Sequence, residues 1–303
     1  MLTALRHVLE MIRFSHTLFA LPFALLAAAM AWVAPSPAGQ RIVFRWIHLA
    51  GILICMVLAR SAAMAFNRIA DRHLDAANPR TCRRHLPAGL LTVRSVAVFT
   101  ILCSAGFVAA TLLFWPNPLP VCLSVPVLGF LLGYSYAKRF TILAHFWLGA
   151  ALMLAPLSAW IALRGELVLA EPADLVPPLL LGLAVLMWVA GFDIIYACQD
   201  VDFDVRARLR SVPAKLGIRL ALSLAAGCHV AMVAALAALP LLAPQLAFGP
   251  VYWCGIAAVA ILLLYEHAVV RPDDLTRVNL AFFHVNWIVS VGLLATGAID
   301  LLT

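Results

Sequence analysis

Windows of roughly 20 apolar residues, long enough to cross a bilayer core of about 30 Å, recur along this whole chain. They fall near residues 14–33, 43–66, 95–115, 119–137, 142–163, 175–197, 218–243, 249–270 and 278–302. The pattern predicts an all-α integral membrane protein of nine transmembrane helices. A single domain over residues 1–303 is expected, with no soluble domain before or after the bundle. Residues 14–33 follow Arg6 and Arg13 and precede small residues near Ala34–Ala38, as in a signal peptide. The run is longer than a signal core, and it is expected to be a retained helix.

Charge supports this topology. Cytoplasmic loops carry an excess of Lys and Arg. With the N-terminus inside, that side receives Arg6, Arg13, Arg68, Arg72, Arg80, Arg83, Arg84 and Arg94. It also receives Lys138, Arg139, Arg206, Arg208, Arg210, Lys215, Arg219, Arg271 and Arg277. The opposite side receives Arg41, Arg45 and Arg164, and Arg60 lies within a helix. A miscounted helix in the middle would scramble the asymmetry.

Composition agrees. Hydrophobic residues make up 65% of the 303 and charged residues 12%, against about 45–50% and 25% in soluble domains. The net charge of +7 sets topology and does not point to nucleic acid. The seven cysteines are scattered singly, without a CxxC pair, and the histidines show no HxxxH spacing, so no zinc site is expected.

Helices 2, 4 and 6 of this topology end at the cytoplasmic face, and the polar clusters sit at those ends. The first holds Asn67, Asp71 and Asp75, the second Tyr134, Lys138 and Arg139, the third Asp193, Tyr196, Asp200, Asp202 and Asp204. At about 100° per residue, Asn67, Asp71 and Asp75 share one helical face. Asp193, Asp200 and Asp204 lie within roughly 40° of one another by the same rule, whereas Asp202 projects to the opposite side. Carboxylates at helix C-termini meet the negative end of the macrodipole and repel one another. An unpaired Asp at membrane depth costs about 2.5–3.5 kcal/mol. A hard cation such as Mg²⁺ relieves both problems. The plainer alternative is loop salt bridges to Arg68, Arg72, Arg206 or Arg208.

At these residues the chain resembles the UbiA superfamily of intramembrane prenyltransferases. Asn67-x3-Asp71-x3-Asp75 is similar to the family's first motif, and Asp200-x3-Asp204, preceded by Asp193 and Tyr196, to its second. Asn78-Pro79-Arg80-Thr81 with Arg84, and Tyr134 through Arg139, resemble two further family segments. Phe14 through Phe23 and Gly191 through Asp200 look like enzymes labelled 4-hydroxybenzoate polyprenyltransferase. Ser211-Val212-Pro213-Ala214 is similar to enzymes acting on a dihydroxynaphthoate in menaquinone synthesis.

The resemblance implies a Mg²⁺-dependent prenyltransferase of quinone synthesis in a bacterial inner membrane, its site facing the cytoplasm. The substrates would be a polyprenyl diphosphate and an aromatic acid, 4-hydroxybenzoate or 1,4-dihydroxy-6-naphthoate. Metal would be held by Asn67, Asp71, Asp75, Asp193, Asp200 and Asp204. Diphosphate would be held by Lys138, Arg139, Arg84 and Tyr134, with Tyr196 binding the leaving group or stabilising a cation. Two roles fit Arg60, contact with substrate or offset of the aspartates; His16 reads as a packing residue. Rival readings are another UbiA-type enzyme, such as a haem farnesyltransferase or chlorophyll synthase, a cation-coupled transporter, or a structural subunit. Transporters place sites near the midplane on broken helices, whereas these acids crowd one face.

Overall fold

A computed structural model describes residues 7, 10–11, 19–36, 39, 41–275, 278 and 285–303. Arg6, Arg13, His16 and Arg277 lie outside the described residues, as does most of the segment 14–20.

Each apolar run contains a helix. In chain order these are α1 (Leu21–Val33), α2 (Trp46–Ala70), α3 (Val93–Ala110), α4 (Leu119–Gly133) and α5 (Ala144–Ala170). They continue with α6 (Val176–Ala197), α7 (Ile218–Leu242), α8 (Pro250–Val269) and α9 (Asn286–Leu302). Short helical turns extend α3 to Phe114, α4 to Phe140 and α6 to Arg206. Seven of the helices are long and apolar enough to cross a membrane, while α1 and α9 are shorter apolar helices as described. The protein is therefore a multi-pass integral membrane protein.

The bundle is organised around α6, which packs between α5 and α7 and has 61% of its most apolar window buried. Helices in lipid approach closely where side chains are small. Gly149 of α5 shows this: a Cβ there would sit 2.4 Å from the Leu186 carbonyl oxygen of α6. On the other side, a Cβ at Gly191 would sit 2.4 Å from the His229 ring of α7. Trp188 of α6 is fully buried and donates from Nε1 to Asn286 Oδ1 of α9 at 2.7 Å.

One charge of the outer side is buried. Arg164, counted among loop charges, is only 2% exposed and sits at a kink within α5 (φ −121°, ψ 22°). A buried guanidinium must be paired and fully hydrogen-bonded. Arg164 donates to the carbonyls of Ala31 (3.2 Å), Ala34 (2.8 Å) and Pro35 (3.2 Å) and to Asp174 Oδ1 (2.6 Å). It thus ties the end of α1 to the α5–α6 connection, and the kink it occupies falls one residue past the expected end of this apolar run at residue 163.

Candidate active site

The C-terminal ends of α2, α4 and α6 meet at one end of the bundle. Asp71 caps α2, its N–H bonding to the Asn67 carbonyl at 2.9 Å. The short helix Arg72–Ala77 follows at once, and Asp75 N–H bonds back to the Asp71 carbonyl at 2.7 Å. The junction therefore keeps all three polar residues on one cavity wall. Asn67 Nδ2 donates to Asp71 Oδ2 (2.9 Å), and Arg139 Nη2 donates to Asp71 Oδ1 (3.1 Å) and to the Ala70 carbonyl (2.5 Å). Asp75 is 6% exposed; Arg84 Nη1 donates to its Oδ1 at 2.7 Å, and Arg68 Nη1 lies 4.0 Å from Oδ2. Burial pushes the Asp71 carboxyl above its ordinary range, and neighbouring Asp75 adds to this, although the Arg139 and Asn67 hydrogen bonds pull the other way.

The second acidic stripe is built at the end of α6, where the turn Cys198–Asp200 leads into the short helix Val201–Arg206. Asp200 accepts from Asn78 Nδ2 (3.3 Å), from Arg80 Nε (2.8 Å) and from Arg80 Nη2. Arg80 also donates from Nη1 to the Tyr196 hydroxyl (2.7 Å), and its guanidinium carbon lies 5.0 Å from that ring's centre. Asp193, two turns before Asp200, has Oδ2 at 2.6 Å from His145 Nδ1. Asp204 is 3% exposed. Asp202 is exposed and lies off the cavity wall.

A single cavity gathers these groups. Asn67, Asp71, Asp75, Arg84, Tyr134, Lys138, Arg139, Asp193, Tyr196, Asp200 and Asp204 line its polar end, and Arg60 lies deeper along the same wall. Beyond them the lining becomes apolar, through Ala59, Leu131, Leu148 and Leu152 to Ile52 and Phe114. Along α2, Asn67 to Ile52 spans fifteen residues, about 22 Å at 1.5 Å per residue. The space is amphipathic from end to end: a charged mouth and a long apolar bore.

Charge and spacing give three of these members no site role. Asn78 and Arg80 stand in the sequence only within the family-like segment Asn78-Pro79-Arg80-Thr81, and His145 carries no signal of its own. The salt-bridge alternative named Arg68, Arg72, Arg206 and Arg208. Of these only Arg68 approaches an acid of the stripes, while Arg72 bonds the Ile69 carbonyl and Arg206 the Asp202 carbonyl. Folding also brings His7, Glu10 and His85 within 4.8 Å of one another, a grouping that sequence spacing could not reveal. Glu10 is exposed there. The grouping joins the N-terminal segment to the loop that carries Arg84.

The donor set suits a hard divalent cation. Asn67 and the aspartates offer only oxygen ligands apart from one amide nitrogen, the preference of Mg²⁺. The Oδ2 atoms of both Asp75 and Asp204 are buried without a hydrogen-bond donor. Asp75 Oδ2 has only the Arg68 guanidinium at 4.0 Å; leaving a buried acceptor without a hydrogen bond costs about 1–3 kcal/mol, and a bound cation would satisfy both. Arg80, Arg84, Lys138 and Arg139 surround the acids with positive charge suited to an anionic group.

Comparison with known proteins places this arrangement. Residues 20–287 match the UbiA prenyltransferase family. A 4-hydroxybenzoate octaprenyltransferase of Nitrosomonas europaea is 33% identical over 240 residues, 78% of this chain and 76% of that protein. The enzyme of the same name from Methylobacillus flagellatus is 30% identical over 88% of this chain and 84% of its own length. Among solved structures, the apo form of a UbiA homolog from Aeropyrum pernix K1 superposes with a TM-score of 0.79 at 31% identity, covering 94% of this chain and 97% of that one. A UbiA homolog from Archaeoglobus fulgidus, solved with DMAPP and Mg²⁺, shares the fold with a TM-score of 0.68 at 17% identity, covering 98% and 99%. The chain is a prenyltransferase and belongs to the UbiA prenyltransferase family.

Proposed function

We propose that this protein transfers a polyprenyl chain from its diphosphate to an aromatic hydroxy acid in quinone synthesis, at the cytoplasmic face of a bacterial inner membrane. The observation that carries the reading is the amphipathic cavity, two acidic stripes and four cationic side chains at the mouth of one apolar bore. The chain is read as one nine-helix domain over residues 1–303, its N-terminus on the same side as the acids.

Asn67 of α2, Asp71 at its end and Asp75 of the short helix that follows, with Asp193 of α6 and Asp200 and Asp204 of its extension, would hold Mg²⁺. When bound there, Mg²⁺ supplies neutralisation of the diphosphate's negative charge. The protein's own groups do the rest. Lys138, Arg139, Arg84 and Tyr134 bind the diphosphate, and the apolar bore takes the isoprenoid tail. As the allylic C–O bond breaks, its electron pair leaves with the diphosphate, whose growing charge these cations stabilise in a site screened from water. The π-faces of Tyr134 and Tyr196 stabilise the allylic cation. The ring carbon ortho to the hydroxyl then bonds to the terminal allylic carbon and the ring loses a proton. Arg60, whose Nε is buried without a hydrogen-bond partner, lies about two helical turns below Asn67 and pairs with the acceptor's carboxylate.

The names of the relatives at 30–34% identity support 4-hydroxybenzoate as the acceptor. The Ser211-Val212-Pro213-Ala214 segment favours 1,4-dihydroxy-6-naphthoate as a second reading. The test offers both acids, in parallel, with a long-chain prenyl diphosphate and Mg²⁺ to the protein in lipid vesicles. Mass spectrometry is expected to find the prenyl group on one of the two rings. Diphosphate release with neither ring prenylated would overturn the reading.

A further inference from the structure

His145 is fully buried, stands at the first turn of α5, and is hydrogen-bonded through both ring nitrogens. The backbone N–H of Val212 points at Nε2 across 3.2 Å. A backbone N–H can only donate, so Nε2 must present its lone pair. In neutral imidazole the proton then sits on Nδ1. Nδ1 faces Asp193 Oδ2 at 2.6 Å, so it donates to that oxygen. Two fixed neighbours thus settle which tautomer the ring adopts, the logic by which carboxylate and carbonyl partners orient histidines around metal sites.

The segment carrying Val212 is itself anchored to the site. Arg210 N–H bonds the Lys138 carbonyl (2.7 Å), and Arg210 Nη1 bonds the Phe140 carbonyl (2.8 Å). Residues 210–212 therefore brace the cationic turn at Lys138–Arg139 and, through His145, the acid at Asp193. Asp193 has one oxygen committed to His145, yet its side chain keeps 16% exposure and lines the cavity.

We infer that His145 is a positioning residue: held as the neutral Nδ1–H tautomer by Val212, it fixes Asp193 Oδ2 and so aims the remaining carboxylate oxygen into the cation-binding mouth lined by the acidic stripes. This rests on the reading of the stripes as a cation site for prenyl transfer. The imidazole is fully buried and stands behind the cavity wall. Its contribution is to keep Asp193 from rotating among conformers, and losing a partner of this kind commonly weakens metal affinity by about 10–100-fold.

The experiment uses the full chain in lipid nanodiscs, with Mn²⁺ alone as the probe and its binding followed by electron paramagnetic resonance. His145→Leu removes both hydrogen bonds; His145→Gln retains an N–H donor and a carbonyl acceptor. The Mn²⁺ Kd is expected to rise at least about tenfold in the Leu variant and to stay within about threefold of wild type in the Gln variant. The Mg²⁺ half-saturation of turnover should follow the same order, with kcat at saturating Mg²⁺ falling by a smaller factor. Independently of any substitution, ¹⁵N NMR of the wild-type histidines, assigned by difference against His145→Gln, is expected to show Nδ1 protonated and Nε2 bare. Equal Mn²⁺ affinity in folded wild-type and Leu proteins, or a ring protonated on Nε2, would overturn the inference. If the wild type prenylates neither acceptor, the functional reading fails, while Mn²⁺ affinity and tautomer still report on His145.

Discussion

Arg80 grips Asp200 with two parallel N–H donors, Nε to Oδ1 at 2.8 Å and Nη2 to Oδ2. This fork joins the loop after α2 to the acid stripe at the end of α6, across 120 residues of sequence. The same guanidinium holds the Tyr196 hydroxyl. A planar fork matched to a carboxylate is what Lys cannot reproduce.

Replacing Arg80 should therefore be costly to activity. Hydrogen bonds to charged groups are worth about 1.5–3 kcal/mol, or roughly ten- to a hundredfold in rate if the loss falls on the transition state. Arg80→Ala is expected to lower kcat/KM by that factor and Arg80→Lys to recover only part of it. Tyr196→Phe should lose a few-fold. Steady-state kinetics in proteoliposomes checks all three; equal rates for the Lys variant and wild type would show that the fork is dispensable.

The opposite end of the bundle behaves differently. Arg164 satisfies three carbonyls of the α1 terminus and Asp174 while almost fully buried. Breaking a buried pair by removing one partner costs about 3–5 kcal/mol. Arg164→Ala should lower the melting temperature markedly, while the protein that remains folded keeps kcat within about twofold, because the acids lie at the other end of α5 and α6. Thermal unfolding alongside kinetics separates the two effects.

Asp71 sets function against stability. Its carboxyl is raised above the ordinary carboxylate range, chiefly by burial. The fold thus favours the protonated form: the associated stabilisation is complete at pH below the ordinary carboxylate value and is lost as pH rises through the raised one. At neutral pH the carboxylate is held at a cost. Asp71→Asn should accordingly raise the melting temperature at pH 7 more than at pH 4, in metal-free buffer, while prenyl transfer is lost. A larger gain at pH 4 would contradict that sign.

The helices and both acidic stripes were legible in the sequence for physical reasons. Twenty-residue apolar runs have few alternatives in lipid, and aspartates four residues apart at a helix end announce themselves by repulsion. What stayed hidden was pairing. Charge counting treats Arg80, Arg84 and Arg139 alike, and the resemblance gives Arg84 and Arg139 only a diphosphate role; folding alone pairs the three with Asp200, Asp75 and Asp71. His145 was invisible because a lone histidine at a helix start has no spacing partner; its partners lie 48 and 67 residues away. Arg164 passed for an exterior charge because charge counting is blind to burial.

The most direct test of the two-stripe mechanism is Mg²⁺-dependent prenyl transfer by Asp71→Ala and Asp200→Ala, one substitution in each stripe. Mass spectrometry of the prenylated acceptor, on proteins shown to be membrane-inserted, reads it out. Loss of several kcal/mol of charge stabilisation corresponds to a fall of at least about a hundredfold, and that is expected in both variants. Near wild-type turnover in either one would contradict a mechanism that needs the cation-binding acids of both stripes.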